Sequence, residues 1–192
     1  MLDIIEKARL LAKEMIENYP QDPYSLWNHF EEVERWAIYL QKINPEVDKE
    51  IILLSVWLHD IGHYPVDENN DHAIIGETRA RDFLEKEGYD KEKTKKVLHC
   101  VRSHRNKDVS PSTIEAKIIC FADTASHITS SENVYFDILK RKKYYNFNYD
   151  VFGKMERDFR DLDFFPKIKK QLKPLYKAWE KVLKEYNRLK IE

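Results

Sequence analysis

Glycine, cysteine and unbalanced charge are all scarce in this sequence, and each scarcity removes a class of protein. Four glycines stand among 192 residues, too few for the positive-φ turns of an all-β sandwich or for a glycine-rich phosphate loop. The two cysteines, Cys100 and Cys120, sit among apolar neighbours at no metal-binding spacing. They read as reduced core residues rather than a disulfide framework. The longest apolar run starts at Ile51, is broken by Ser55 and ends at Leu58, well short of the roughly 18 residues a membrane span needs. Lysine and arginine number 33 against 34 aspartates and glutamates, which weighs against a nucleic-acid partner held by counterion release. The first eleven residues carry Asp3 and Glu6 and no apolar leader. The expectation is a cytoplasmic protein with no membrane partner.

What is present reads as helix. With 42% hydrophobic and 35% charged residues, the chain is globular with a heavily solvated exterior. A single domain over 1–192 is expected, burying about 70% of its unfolded surface. Apolar spacing predicts a first helix up to Pro20 and a second from Pro23 through Leu40. A third runs from Pro45 through Ile51–Leu58 to a stop at Gly62. Helix four is expected over about 71–87 before Gly88, helix five over about 91–104, and helix six from Thr113 towards Ser130. The last helix carries Ile168, Leu172, Leu175, Trp179, Val182, Tyr186 and Leu189, with Pro174 as a kink or restart. The run Lys140–Lys143 followed by Tyr144, Tyr145, Phe147 and Tyr149 mixes charge with aromatics. Nearby acids offset it, so it reads as a solvated helix end.

The histidines and two aspartates carry the chemistry. Asp60 follows the apolar third helix, and Asp123 follows Ile118-Ile119-Cys120-Phe121-Ala122. A buried carboxylate is costly unless paired, hydrogen-bonded or coordinating a cation, and neither has a lysine or arginine next to it. A divalent metal with neutral histidines as co-ligands is the compact solution. His29, His59, Asp60 and Asp123 come from three predicted helices, and His72 and His104 lie at the start of helix four and the end of helix five. A His-Glu-x-x-His site is absent, and no glutamate stands three residues before any histidine, so two metal templates fail. His59 and His63 are four apart, but Gly62 and Pro65 end the helix there, against a chelating pair on one face. His99 and His104 point about 140° apart on a helix; His104 is preferred.

In this order, His29, then His59-Asp60 within Leu-His-Asp-Ile-Gly, then Asp123 in Phe-Ala-Asp, the chain resembles the HD-domain superfamily of metal-dependent phosphohydrolases. The likeness spans about residues 24–130 and takes in His72 and His104. It implies an all-α HD-domain helical bundle, here with extra C-terminal helices over about 131–192. It also implies a metal bound by His29, His59, Asp60 and Asp123. In two-metal branches a second ion is bound by two further histidines, which match His72 and His104, with Asp60 bridging. The cofactor is then one or two divalent transition metals (Mn, Fe, Co, Ni or Zn). The expected reaction is attack of a metal-bound hydroxide on a phosphate ester or anhydride of a small phosphorylated substrate, a nucleotide foremost. The alternative is a catalytically silent HD module that binds a nucleotide or a protein partner. Asp60 and His63 are the candidate catalytic residues; His63 stands where many members carry lysine. Arg105 and Lys107 are candidates for substrate phosphate, with Arg79 and Arg81 behind them. Trp27, Trp36, Trp57 and Tyr64 are candidates for a base-stacking pocket, and His127 for orienting a ligand.

Overall fold

The computed structural model describes residues 2–19, 24–66, 70–131 and 151–188, so the aromatic-basic run at 140–149 lies outside the described residues. These form eight α-helices: α1 Ile4–Glu17, α2 Leu26–Ile43, α3 Lys49–Leu58, α4 His72–Lys86, α5 Lys91–Ser103, α6 Ile114–Thr129, α7 Val151–Asp161 and α8 Pro166–Arg188. A 3₁₀ turn, Leu162–Phe164, joins the last two. The all-α expectation holds. Local chemistry sets the boundaries. Asp3, Asp48, Asp71, Asp90 and Thr113 each accept a backbone N–H in the first turn of α1, α3, α4, α5 and α6, satisfying donors that no helical carbonyl can reach.

Two helices form the centre. Ile51, Ile52, Leu54, Val56, Trp57 and Leu58 bury every side of α3, and Ile118, Ile119, Phe121 and Ala122 do the same for α6. Such all-round apolar helices have to be enclosed, and α1, α2 and α5 pack on α3 while α2, α5, α7 and α8 pack on α6. The α8 register corrects the predicted stripe: Ile168, Leu172, Tyr176 and Leu183 are buried, whereas Leu175 and Val182 are 38% and 53% exposed. Tyr176 stacks on Phe159 of α7 at 4.2 Å between ring centroids. That contact selects the inward face between two candidate stripes one residue apart. α8 also runs through Pro174 without a break.

The third helix stops at Leu58, four residues before the glycine expected to end it. His59 to Gly62 form a turn instead, pressed against the start of α4. A Cβ built on Gly62 would lie 2.0 Å from the His72 carbonyl oxygen and 2.6 Å from the Gly76 nitrogen. Arg79 clamps the same turn, its Nη1 donating to the carbonyls of Ile61 at 2.7 Å and Tyr64 at 2.5 Å. It therefore holds the backbone of this turn. Gly62→Ala should push α4 off the turn. The expected loss is about 3 kcal/mol of stability, a fall of roughly 10 °C in melting temperature. Gly88→Ala, with φ +66° and open space around it, should cost only about 1–2 kcal/mol. Thermal denaturation of the two variants measures the difference.

Candidate metal centre

Five elements deliver donors to one point. His29 projects from α2, His59 caps the C-terminus of α3 and Asp60 follows it, His72 opens α4, His104 caps the C-terminus of α5, and Asp123 lies on α6. His29, His59, Asp60, His104 and Asp123 are buried. His29 Nε2 lies 3.1 Å from His59 Nε2, 3.2 Å from Asp123 Oδ1 and 3.5 Å from Asp60 Oδ2. On the other side of Asp60, Oδ1 lies 3.4 Å from His72 Nε2 and 3.3 Å from His104 Nε2, and those two nitrogens are 3.3 Å apart. Asp60 thus turns one oxygen to the His29–His59 pair and the other to the His72–His104 pair. All six residues expected as ligands come together.

The hydrogen bonds behind the rings decide what faces forward. His59 Nδ1–H donates to the Val56 carbonyl and His104 Nδ1–H to the Val101 carbonyl, each at 2.7 Å. Ser126 Oγ donates to the Asp123 carbonyl at 2.7 Å, so it accepts from His29 Nδ1–H at 3.0 Å. In the neutral rings these bonds leave the Nε2 atoms of His29, His59 and His104 as bare lone pairs aimed inward. Two lone pairs 3.1 Å apart, as in His29 and His59, repel unless a cation lies between them. Asp60 Oδ1 is buried with no hydrogen-bond partner, an expensive state for a carboxylate. Both features fit a divalent metal, and two groups, His29–His59–Asp123 and Asp60–His63–His72, have donor atoms close enough to hold one.

Electrostatics tell the same story. Burial opposes a charge on His29, yet Asp123 and Asp60 override it and raise the imidazole to about 9. A proton there does part of the work of a metal. Burial also opposes a charge on His104, and the Asp60 carboxylate beside it raises it nonetheless. Burial lowers His59 to about 4, and burial with the adjacent His63 lowers His72 to about 2. Burial alone favours neutral Asp60 and Asp123, but the imidazoles around them hold both below the ordinary carboxylate range.

His63 also reaches the cluster. Its Nε2 lies 3.5 Å from Asp60 Oδ2, the same distance as His59 Nε2. The two histidines meet through Asp60 rather than along a helix face. The His63 ring stacks on His72 at 3.8 Å and packs on Tyr24 at 4.5 Å. His127 stacks on His29 at 5.2 Å between Asp123 at 3.7 Å and Asp158 at 3.3 Å. His99 is elsewhere, its Nε2 accepting from the Ser112 backbone N–H at 3.1 Å.

A cleft of about 730 Å³ opens above the donors. Arg105, Asn106 and Lys107 form one wall; Lys154, Arg157 and Arg160 of α7 form the other. The substrate candidates Arg105 and Lys107 are thus at the site, although Arg105 is ion-paired to Asp71, the cap of α4. The α7 wall is absent from the sequence reading. Its signal is the three-residue spacing of Lys154, Arg157 and Arg160 opposite Met155 and Phe159, which marks an amphipathic helix and not its destination. The stacking pocket fails as expected from sequence. Trp57 is buried in the core, Trp27 packs on it at 5.3 Å, and Trp36 donates to Thr129 at 2.8 Å. Tyr64 stacks on Tyr19 at 4.5 Å, so Tyr24 is the one aromatic ring besides histidines lining the cleft among the described residues.

The family model described as HD domain matches residues 26–127. That segment holds all six donors and leaves α7 and α8 outside. No curated protein and no solved structure matches the chain.

Chelation should lower the melting temperature of metal-loaded protein. An ion held at about 100 times its dissociation constant contributes about 2.7 kcal/mol, or roughly 5–10 °C at this size; elemental analysis before and after identifies the ion lost. The chelated protein should also have a stability optimum in pH. His59, lowered from 6.5 to about 4, binds its proton more tightly when unfolded, so stability rises with pH across that window. His29, raised from 6.5 to about 9, holds its proton more tightly when folded, so its contribution is complete below 6.5 and lost towards 9. Melting temperature should peak near pH 6.5 with chelator. The alkaline decline should vanish with manganese; identical profiles would show that no ion replaces the proton.

Proposed function

The chain belongs to the HD-domain family, and from that premise we propose that it is a metal-dependent phosphohydrolase acting on a small phosphorylated compound such as a nucleotide. The facing lone pairs of His29 and His59, with two ionised carboxylates beside them, carry the reading. Such a cluster needs positive charge between its nitrogens, from a metal ion or from the proton that His29 otherwise takes up, and its complete donor set opens into a cleft instead of being sealed. Completeness also weighs against a silent binding module.

His29, His59, Asp60 and Asp123 would hold one divalent ion, and His72 and His104 with Asp60 a second. Bound there, a divalent transition metal brings water towards neutral pKa and neutralises phosphate oxygens. The protein groups do the rest. Asp60, ionised and fixed between two histidine pairs, orients the attacking water towards phosphorus. His63 lines the cleft with its ring held between Tyr24 and His72, and its imidazole nitrogen is the proton donor for the departing oxygen. Arg105, held by Asp71, and Lys107 at 3.9 Å from the same carboxylate bind phosphate oxygens at the rim.

Phosphate release from a panel of mono-, di- and triphosphorylated compounds, run with Mn, Fe, Co, Ni and Zn in turn, tests this reading. At least one pairing should turn over, and Asp60→Asn should reduce it by about 10³-fold or more. His63→Gln should lower kcat by about 10²-fold, and its metal content, measured alongside, separates proton donation from a share in holding the ion. Silence across the whole panel, or an Asp60 variant of undiminished rate, would remove the assignment.

A further inference from the structure

The cleft carries more positive charge than one phosphate group needs, and part of the excess lies on α7, outside the segment that defines the family. Five cations line it: Arg105, Lys107, Lys154, Arg157 and Arg160. With Asp60 and Asp123 set aside for the donor cluster, three carboxylates answer them: Asp158 and Asp161 in the lining and Asp71 beside it. Asp71 takes Arg105, with Lys107 at the limit of reach at 3.9 Å. Asp158, half-buried and held ionised by Lys154 and His127 against the cost of that partial burial, takes Lys154 at 2.7 Å. Asp161 lies 4.0 Å from Arg160 and accepts from Asn106 Nδ2 at 3.1 Å. Five against three leaves two charges, and they fall on Lys107, whose side chain is 65% exposed, and on Arg157. Arg157 is exposed at the cleft and has no carboxylate within ion-pair distance among the described residues.

Both walls are fixed. Asn106 adopts φ 45°, a left-handed conformation that asparagine tolerates better than most residues. Its side chain ties the loop after α5 to Asp161 on α7. Lys154, one helical turn before Arg157, has a side chain only 16% exposed, so α7 descends from an open cation to a committed one near the donors. A phosphate at the donors would have its charge met by a metal held there. It does not need Arg157.

We infer that the cleft selects substrates bearing a second anionic group, namely diphosphates, longer phosphate chains or bisphosphates, which Arg157 of α7 binds together with Lys107. The inference rests on the phosphohydrolase reading of the same site and narrows its substrate class. Arg157 is a specificity residue that takes no part in bond cleavage.

Inorganic phosphate and inorganic pyrophosphate, titrated calorimetrically into manganese-loaded protein with metal matched in cell and syringe, test it. Pyrophosphate should bind at least ten-fold more tightly than phosphate. In Arg157→Gln, a change at an exposed position, that preference should fall below three-fold with phosphate affinity and metal content unaltered. Lys107→Gln should show a partial loss. Equal affinities in the unmodified protein would overturn the inference, as would an Arg157→Gln protein that keeps the preference. Turnover separates this failure from that of its premise. Hydrolysis of monophosphates with no gain from a second phosphate leaves the phosphohydrolase reading intact and removes the selectivity. Absence of release from every compound removes both.

Discussion

Mutual repulsion among inward-facing lone pairs and carboxylates is the constraint around which this molecule is organised. Left alone, His29 and His59 at 3.1 Å, and His72 and His104 at 3.3 Å, would swing apart or take up protons. Three of the four rings are anchored from behind, and His72 is held by stacking on His63. Val56 and Val101 supply carbonyls from within the helices that the histidines cap, and Ser126 joins His29 to the backbone of Asp123. The anchors fix tautomer and direction together. The inward-facing atoms are thereby set in positions from which they could hold a metal ion.

Packing supplies the force that holds this arrangement closed. The apolar helices α3 and α6 are enclosed on all sides, which sets Asp60 and Asp123 at buried positions near one another. The turn carrying Asp60 is further pressed onto α4 where Gly62 admits no side chain and Arg79 grips two carbonyls. Hydrophobic burial is directionless, but backbone contacts at that glycine and arginine are not. Together they turn a general attraction into a defined position for one carboxylate.

The two parts of the chain divide the work. Residues 26–127, the family segment, provide every donor and one wall of the cleft. The α7 helix provides the other wall, and through Asp158 it also supports His127 beside the donors. The candidate metal ligands thus sit in the matched segment, while a short helix beyond it lines the cleft with cations.

Much of the centre was legible before any coordinates. The ordered histidines and aspartates, the apolar helices before Asp60 and Asp123, the start of α6 at Thr113 and the stop after α4 at Gly88 are local or periodic properties, and a sequence carries such properties directly. The same holds for the all-helical fold, since 3.6-residue periodicity and sparse glycine are one-dimensional facts. What needed three dimensions was contact between distant segments. Sequence could not say that Arg79 grips a turn, that tryptophans fill the core rather than the cleft, or that α8 buries Tyr176 instead of Leu175. Nor could it bring Arg157 to a site whose nearest donor, Asp123, is 34 positions away. Each outcome depends on which faces meet when helices pack, and that choice is settled by the summed burial of the whole chain rather than by any segment of it.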